Sequence, residues 1–253
     1  MELFILLFLF LIGSCFGSFT NVVVDRLPQK KSLLHPPSHC DNCHKRIARY
    51  DLIPVLSFLI LSGKCRYCKH TLSRRMFLVE VLSGLVCLYL LTSFLPVQGF
   101  FFFLVFLIIL AISLIDLQIG IIPDELLVLL GVLSLVYLLL FFPFSFVTHL
   151  ITGFISFAFF LLIFLITRER GMGFGDVKYA FFIGFLLSPF SAVAAFYIAF
   201  LTGAAISIIL VIGKIKKLKG STIPFGPFLS LGFIVSLLYG EYIVRFCRTF
   251  LGI

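Results

Sequence analysis

Apolar runs about as long as a bilayer is thick alternate with short polar breaks through most of this 253-residue chain. Reading runs of roughly 17–25 apolar residues as membrane spans predicts helices at 3–24, 76–95, 99–115, 121–142 and 144–166. The run 177–212 is too long for one span and breaks near Pro189 into two, and 223–244 follows, making eight helices. The one sizeable polar segment, residues 25–75, lies between the first two spans. The pattern therefore predicts three regions: a first transmembrane helix over 1–24, a polar loop over 25–75, and a helical membrane domain over 76–253.

Composition agrees. Hydrophobic residues make up 61% of the chain, 34 of them Phe, and the mean hydropathy is +1.20. No soluble domain of this size hides so much apolar surface, so the fold class is an all-α polytopic membrane protein with the lipid bilayer as its solvent. The net charge of +9 raises the question of nucleic acid, but its distribution answers it. Eleven of the 20 Lys and Arg fall in residues 25–75, three between Arg168 and Lys178, and four between Lys214 and Lys219. With eight spans these segments share one side of the membrane, which the positive-inside rule makes cytosolic. Topology accounts for the charge, and no nucleic-acid partner is expected. Only Arg245 and Arg248, past the last span, run against the pattern. The first apolar run resembles a signal peptide, but Glu2 is the only charge ahead of it, where such signals carry Lys or Arg. It is read as a retained helix.

The polar loop holds "CDNC" at 40–43 and "CRYC" at 65–68. Two Cys-x-x-Cys knuckles each offer two thiolates, so Cys40, Cys43, Cys65 and Cys68 together complete a tetrahedral structural Zn²⁺ site. A loop with few apolar residues gains most from such a cross-link, and a reducing cytosol disfavours disulfides. The competing reading is a redox pair or an adventitious arrangement. His35, His39, His44 and His70 lie nearby, and four cysteines leave them as surface residues. Cys15, Cys87 and Cys247 fall in or at the end of spans and read as packing residues.

Of eleven acidic residues, five fall in or at the ends of spans: Glu80, Asp116, Asp124, Glu125 and Asp176. Intramembrane ionisable groups are functional candidates by default. Asp124 and Glu125 follow Pro123, which suits a first helical turn, and the helix dipole offers both a structural role there. Asp116 sits at a helix carboxyl end, where the dipole repels an anion. Asp176, sixty residues on, lies on the same side between Gly175 and Val177. Two such carboxyls brought together cannot both ionise cheaply, so one keeps a proton. The ionised partner then activates water while the neutral one polarises a carbonyl, which is aspartic-protease chemistry. From the residues alone, a small ion-coupled transporter using the same aspartates fits nearly as well.

The motifs in order decide between these. "GSFTNVVVDRLP" at 17–28, the tetracysteine loop, "IPVLSFLILSGKCRYC" at 53–68, "SRRMFLVE" at 73–80, "IDLQIGIIPD" at 115–124 and "GFGDVK" at 173–178 resemble the type IV prepilin peptidases. The resemblance covers nearly the whole chain. It implies an intramembrane aspartic enzyme of the G-x-G-D type, distantly similar in motif to presenilins. Such enzymes remove a short basic leader from prepilins or pseudopilins, cutting after a glycine at the cytosolic face of the bacterial cell membrane. Carried onto this chain, the catalytic pair is Asp116 and Asp176. Asp124, Gly173, Gly175 and Lys178 are supporting residues of the two motifs.

The resemblance also implies a second activity, methyl transfer from S-adenosylmethionine to the new amino terminus. Gly63, Lys64 and Glu80 are the residues it associates with that step. No glycine-rich nucleotide fingerprint marks a donor site in the sequence itself. Three departures from the family pattern fall in the same region: "YDLIP" at 50–54, Ser62 ahead of "GKC", and the absence of tryptophan. They leave open a peptidase without methyl transfer.

Overall fold

α1 (Glu2–Arg26) and α3 (Arg74–Ser93) pack side by side because small residues line the seam between them. A Cβ added to Gly17 would stand 2.7 Å from the Ser83 Cβ, and one added to Gly84 would stand 2.5 Å from the Ser14 Oγ. Cys87 is buried against Gly13 in the same seam. Without a hydrophobic drive between helices in lipid, this backbone proximity is what holds such a pair together. Cys87 is thus a packing residue, as expected.

The protein is described by a computed structural model over residues 2–168, 171–213 and 223–251. The basic cluster Lys214–Lys219, together with Glu169 and Arg170, lies outside the described residues. After α1 and a short helix α2 (Leu56–Ile60) come α3, α4 (Pro96–Ile119), α5 (Asp124–Phe141), α6 (Phe146–Ile166), α7 (Phe174–Leu186), α8 (Pro189–Ile212) and α9 (Gly226–Leu251). The only extended pairings among the described residues are two isolated bridges, His39 with Arg46 and Lys64 with Thr71. The chain forms two compact units, residues 1–111 and 112–253, divided inside α4.

In the second unit α7 packs against α5, α6 and α9, and α8 against α9. Buried Leu127 and Leu130 of α5, Ile183 of α7, Ala195 and Ala199 of α8, and Phe233 of α9 form its interior. Outward faces stay apolar: Phe4 of α1 is 79% exposed and Ile212 of α8 is 76% exposed. Surfaces of this kind require lipid rather than water.

The helices confirm an all-α membrane protein and refine its spans. Among the described residues, six helices are long and apolar enough to cross a bilayer: α1, α3, α4, α5, α6 and α8. The break at Pro189 falls where expected, with Pro189 opening α8. However, α7 has 13 residues, about 20 Å of helix against a hydrocarbon core of about 30 Å. The apolar part of α9, Gly226–Gly240, is also shorter than a span. Pro123 is the N-cap of α5 rather than part of its first turn, which Asp124 and Glu125 open. The extended φ and ψ of an N-cap suit proline, whose fixed ring closes off a helical residue before it.

Candidate functional site

Two sites arise, one in each unit. In the first, each Cys-x-x-Cys knuckle folds by the same backbone pattern. Cys40 N–H donates to Lys45 O at 3.0 Å and His44 N–H to Cys40 O at 2.8 Å. Cys65 N–H donates to His70 O at 2.8 Å and Lys69 N–H to Cys65 O at 3.0 Å. His44 and Lys69, the corresponding residues, both adopt positive φ. The two turns bring the sulfurs of Cys40, Cys43, Cys65 and Cys68 within 4.8 Å of one another.

This donor set fits a tetrahedral metal. Cys40 Sγ and Cys68 Sγ are 3.7 Å apart, close to the separation of about 3.8 Å between two sulfurs bonded at about 2.3 Å to one Zn²⁺. The Cys68 thiol is pulled down to about 6, first by the His70 N–H and then by the Asn42 amide. Cys65 is likewise lowered by the N–H groups of Cys68 and Tyr67. Cys43 stands at about 11 although the Lys45 N–H favours its thiolate, because burial and the neighbouring sulfurs oppose ionisation. Four thiols at this distance resist joint ionisation, a conflict that a divalent cation resolves. None of the four nearby histidines belongs to the cluster.

The residues associated with methyl transfer lie beside these knuckles. Gly63 has φ +69°, a conformation that disfavours any side chain. Lys64 bridges to Thr71. Glu80 Oε2 accepts the Val55 N–H at 2.8 Å. Val55 itself has φ +64° and ψ −52°, and the Leu56 N–H reaches back to Pro54 O at 2.6 Å. That is the strained hand of the γ-turn, occupied here by a β-branched residue. Glu80 therefore holds a strained loop in place.

In the second unit, helix ends place the aspartates. α4 runs one turn past Asp116 and stops at Gly120, whose φ of +70° and N–H to Asp116 O at 2.8 Å close the helix. Asp116 is 6% exposed, and its Oδ2 accepts the Gly226 N–H at 2.9 Å. Asp176 is 7% exposed and lies in the first turn of α7. Its Oδ2 accepts the Gly173 N–H at 3.0 Å, tying the start of the helix. Gly175 packs under Ile122, where a Cβ would come within 3.1 Å of the Ile122 Cβ. The two carboxyls lie within electrostatic reach of each other. Asp116 and Asp176 thus each have one oxygen held by a backbone N–H.

Around them, Lys178 Nζ sits 2.8 Å from both oxygens of Asp124, joining the two motifs. This pair is largely exposed, so its contribution to stability is small. One helical turn below Asp176, Tyr179 OH and Ser230 Oγ are 3.0 Å apart and fully buried, fixing α9 on α7. Tyr179→Phe leaves the Ser230 hydroxyl without this partner and is expected to cost about 1 kcal/mol. A thermal unfolding scan checks this, and an unchanged midpoint would show that the bond is dispensable.

Sequence reasoning missed Gly226. A backbone donor leaves no side-chain signature, and the sole hint is a glycine between prolines in "IPFGPF" at 223–228.

Fold and site together define a multi-pass helical membrane protein with two buried aspartates at helix ends in one unit and a four-thiol cluster in the other. Residues 11–94 match the bacterial peptidase A24 N-terminal domain, and residues 101–208 match the type IV leader peptidase family. A protein of Bacillus subtilis (strain 168) named prepilin leader peptidase/N-methyltransferase is 31% identical over 254 residues, covering 94% of this chain and 96% of its own. A Pseudomonas aeruginosa protein of the same name is 30% identical, covering 96% of this chain and 93% of its own. A third, from Stutzerimonas stutzeri, is 31% identical and covers 92% and 90%. The chain belongs to the type IV leader peptidase family, a family of aspartic proteases. No solved structure matches it.

Proposed function

We propose that this protein removes the basic leader of prepilins or pseudopilins by a two-aspartate mechanism and then methylates the new amino terminus. The single observation that carries the peptidase reading is the burial of Asp116 and Asp176 within electrostatic reach, on helices whose ends bind one oxygen of each. One carboxylate takes a proton from water as the water oxygen attacks the scissile carbonyl carbon, and the protonated partner donates to the carbonyl oxygen. Collapse of the tetrahedral adduct breaks the C–N bond, and the departing amine takes the proton. Gly173 and Gly226 hold the two carboxyls in place, and the Lys178–Asp124 pair links the segments that carry them.

The cytosolic face is the proposed location of both centres, because the basic residues of 25–75 lie there under the positive-inside rule. The four cysteines hold a structural Zn²⁺, which supplies a cross-link in place of an apolar core. The methyl donor is S-adenosylmethionine. Its reaction asks the protein mainly to position and desolvate amine and sulfonium.

Gly226→Ala places a Cβ 2.6 Å from the Asp116 Oδ2. The carboxyl must shift, and leader removal is expected to slow on the order of 100-fold. Steady-state rates on a prepilin substrate check this, with an unaltered kcat contradicting it. The whole reading is tested by expressing the chain in a bacterium lacking its own prepilin peptidase. Restored maturation, seen as a mobility shift of the prepilin, supports it. Unprocessed prepilin in cells holding folded, membrane-inserted protein overturns it.

A further inference from the structure

We infer that the methyl donor binds in a cavity of about 850 Å³ in the first unit, between the ends of α1 and α3 and the cysteine knuckles. This rests on the methyl-transfer half of the proposed function and assigns its site. The volume lies in the range of small-molecule pockets.

The lining has the chemistry of a zwitterion site. Its wall carries four carboxylates, Asp25, Asp41, Asp51 and Glu80, among six Lys and Arg side chains, so both signs of charge line one cavity. S-adenosylmethionine carries an ammonium and a carboxylate on one carbon and a fixed positive sulfur nearby. Asp25 and Arg75, paired at 2.7 Å on the wall, present opposite charges side by side to match the first two. Phe58 and Phe77, stacked at 4.8 Å, supply an apolar surface for the adenine.

A second, independent observation points to a ligand. Asn21 lines the cavity and is 5% exposed. Its Nδ2 donates to Met76 O at 3.1 Å, yet its Oδ1 has no hydrogen-bond partner. Arg75 Nε, on the facing helix, is also buried without a partner. Buried polar atoms in folded proteins are nearly always satisfied, so two exceptions on the wall of one cavity mark a place where a polar molecule completes the bonding. Asn21 and Asp25 are four residues apart on α1 and so share a face. Glu80, already engaged with the Val55 N–H, fixes the loop that forms the opposite wall.

In the step this site serves, the amine lone pair of the cleaved substrate forms a bond to the methyl carbon. The carbon–sulfur bond breaks with its electrons on sulfur, leaving a neutral thioether, and the nitrogen releases one proton to solvent.

The test is equilibrium binding of S-adenosylmethionine to the purified full chain by calorimetry, for wild type, Asn21→Leu and Asp25→Asn. Unfolding midpoints serve as the control for folding, and the methylated share of cleaved prepilin is read by mass spectrometry. Each variant is expected to weaken donor binding about tenfold or more, and to lower the methylated share at limiting donor but not at saturating donor. Folded variants that both bind the donor as tightly as wild type would overturn the assignment while leaving methyl transfer standing. Wild type that removes leaders and adds no methyl at saturating donor would overturn the methyl-transfer reading itself, and this site with it.

Discussion

Replacing Asp116 or Asp176 with Asn is expected to slow leader removal by at least about 10³-fold, at the upper end of what proton transfer by a positioned side chain contributes. The substitution keeps shape. An amide oxygen still accepts the Gly226 N–H at position 116 and the Gly173 N–H at position 176, so both helix ends survive. What disappears is the proton traffic, because an amide neither removes a proton from water nor donates one to a carbonyl as an acid. The loss therefore falls on kcat, with KM for the prepilin changed little. Initial rates over a range of substrate concentrations check this. Either variant working within tenfold of wild type would remove that aspartate from the mechanism.

The second large effect belongs to the thiol cluster. Cys40→Ser with Cys43→Ser removes two of the four ligands of the proposed zinc site, whose metal would supply most of the folding energy of its segment, by analogy with zinc peptides that gain roughly 10–16 kcal/mol on binding. Bound zinc is expected to fall from about one per chain to near none. Residues 38–72 then become open to protease while the packed helices α5–α9 stay protected. Elemental analysis beside limited proteolysis measures both. A folded, active wild-type preparation that carries no metal would contradict the assignment.

Much of this architecture is legible in the sequence because a bilayer imposes a coarse rule. Apolar runs must be about as long as the membrane is thick, and their order gives α1, α3, α4, α5, α6 and α8 within a few residues. The four cysteines are legible for a similar reason, since ligand spacing within a knuckle is local. The aspartates stand out because a carboxylate at the edge of an apolar run needs a reason to be there. The features the sequence hides are those made by distant backbone. Gly226 reaches Asp116 across 110 residues, and Glu80 clamps Val55 across 25. The shortness of α7 escapes a reading by hydropathy because 177–186 continues in apolar residues up to the break, while its start is set by Asp176 bonding back to Gly173. Lys178 and Asp124, 54 residues apart, pair only once α5 and α7 are packed.

The measurement that tests the central claim most directly is one reaction. Purified protein, a prepilin substrate and S-adenosylmethionine are combined, and the substrate is read by intact mass, with Asp116→Asn and Asp176→Asn run in parallel. The account predicts leader loss with wild type and an uncut substrate with both variants. Uncut prepilin with a folded, zinc-loaded wild type, or leader loss at the wild-type rate in either variant, would contradict it.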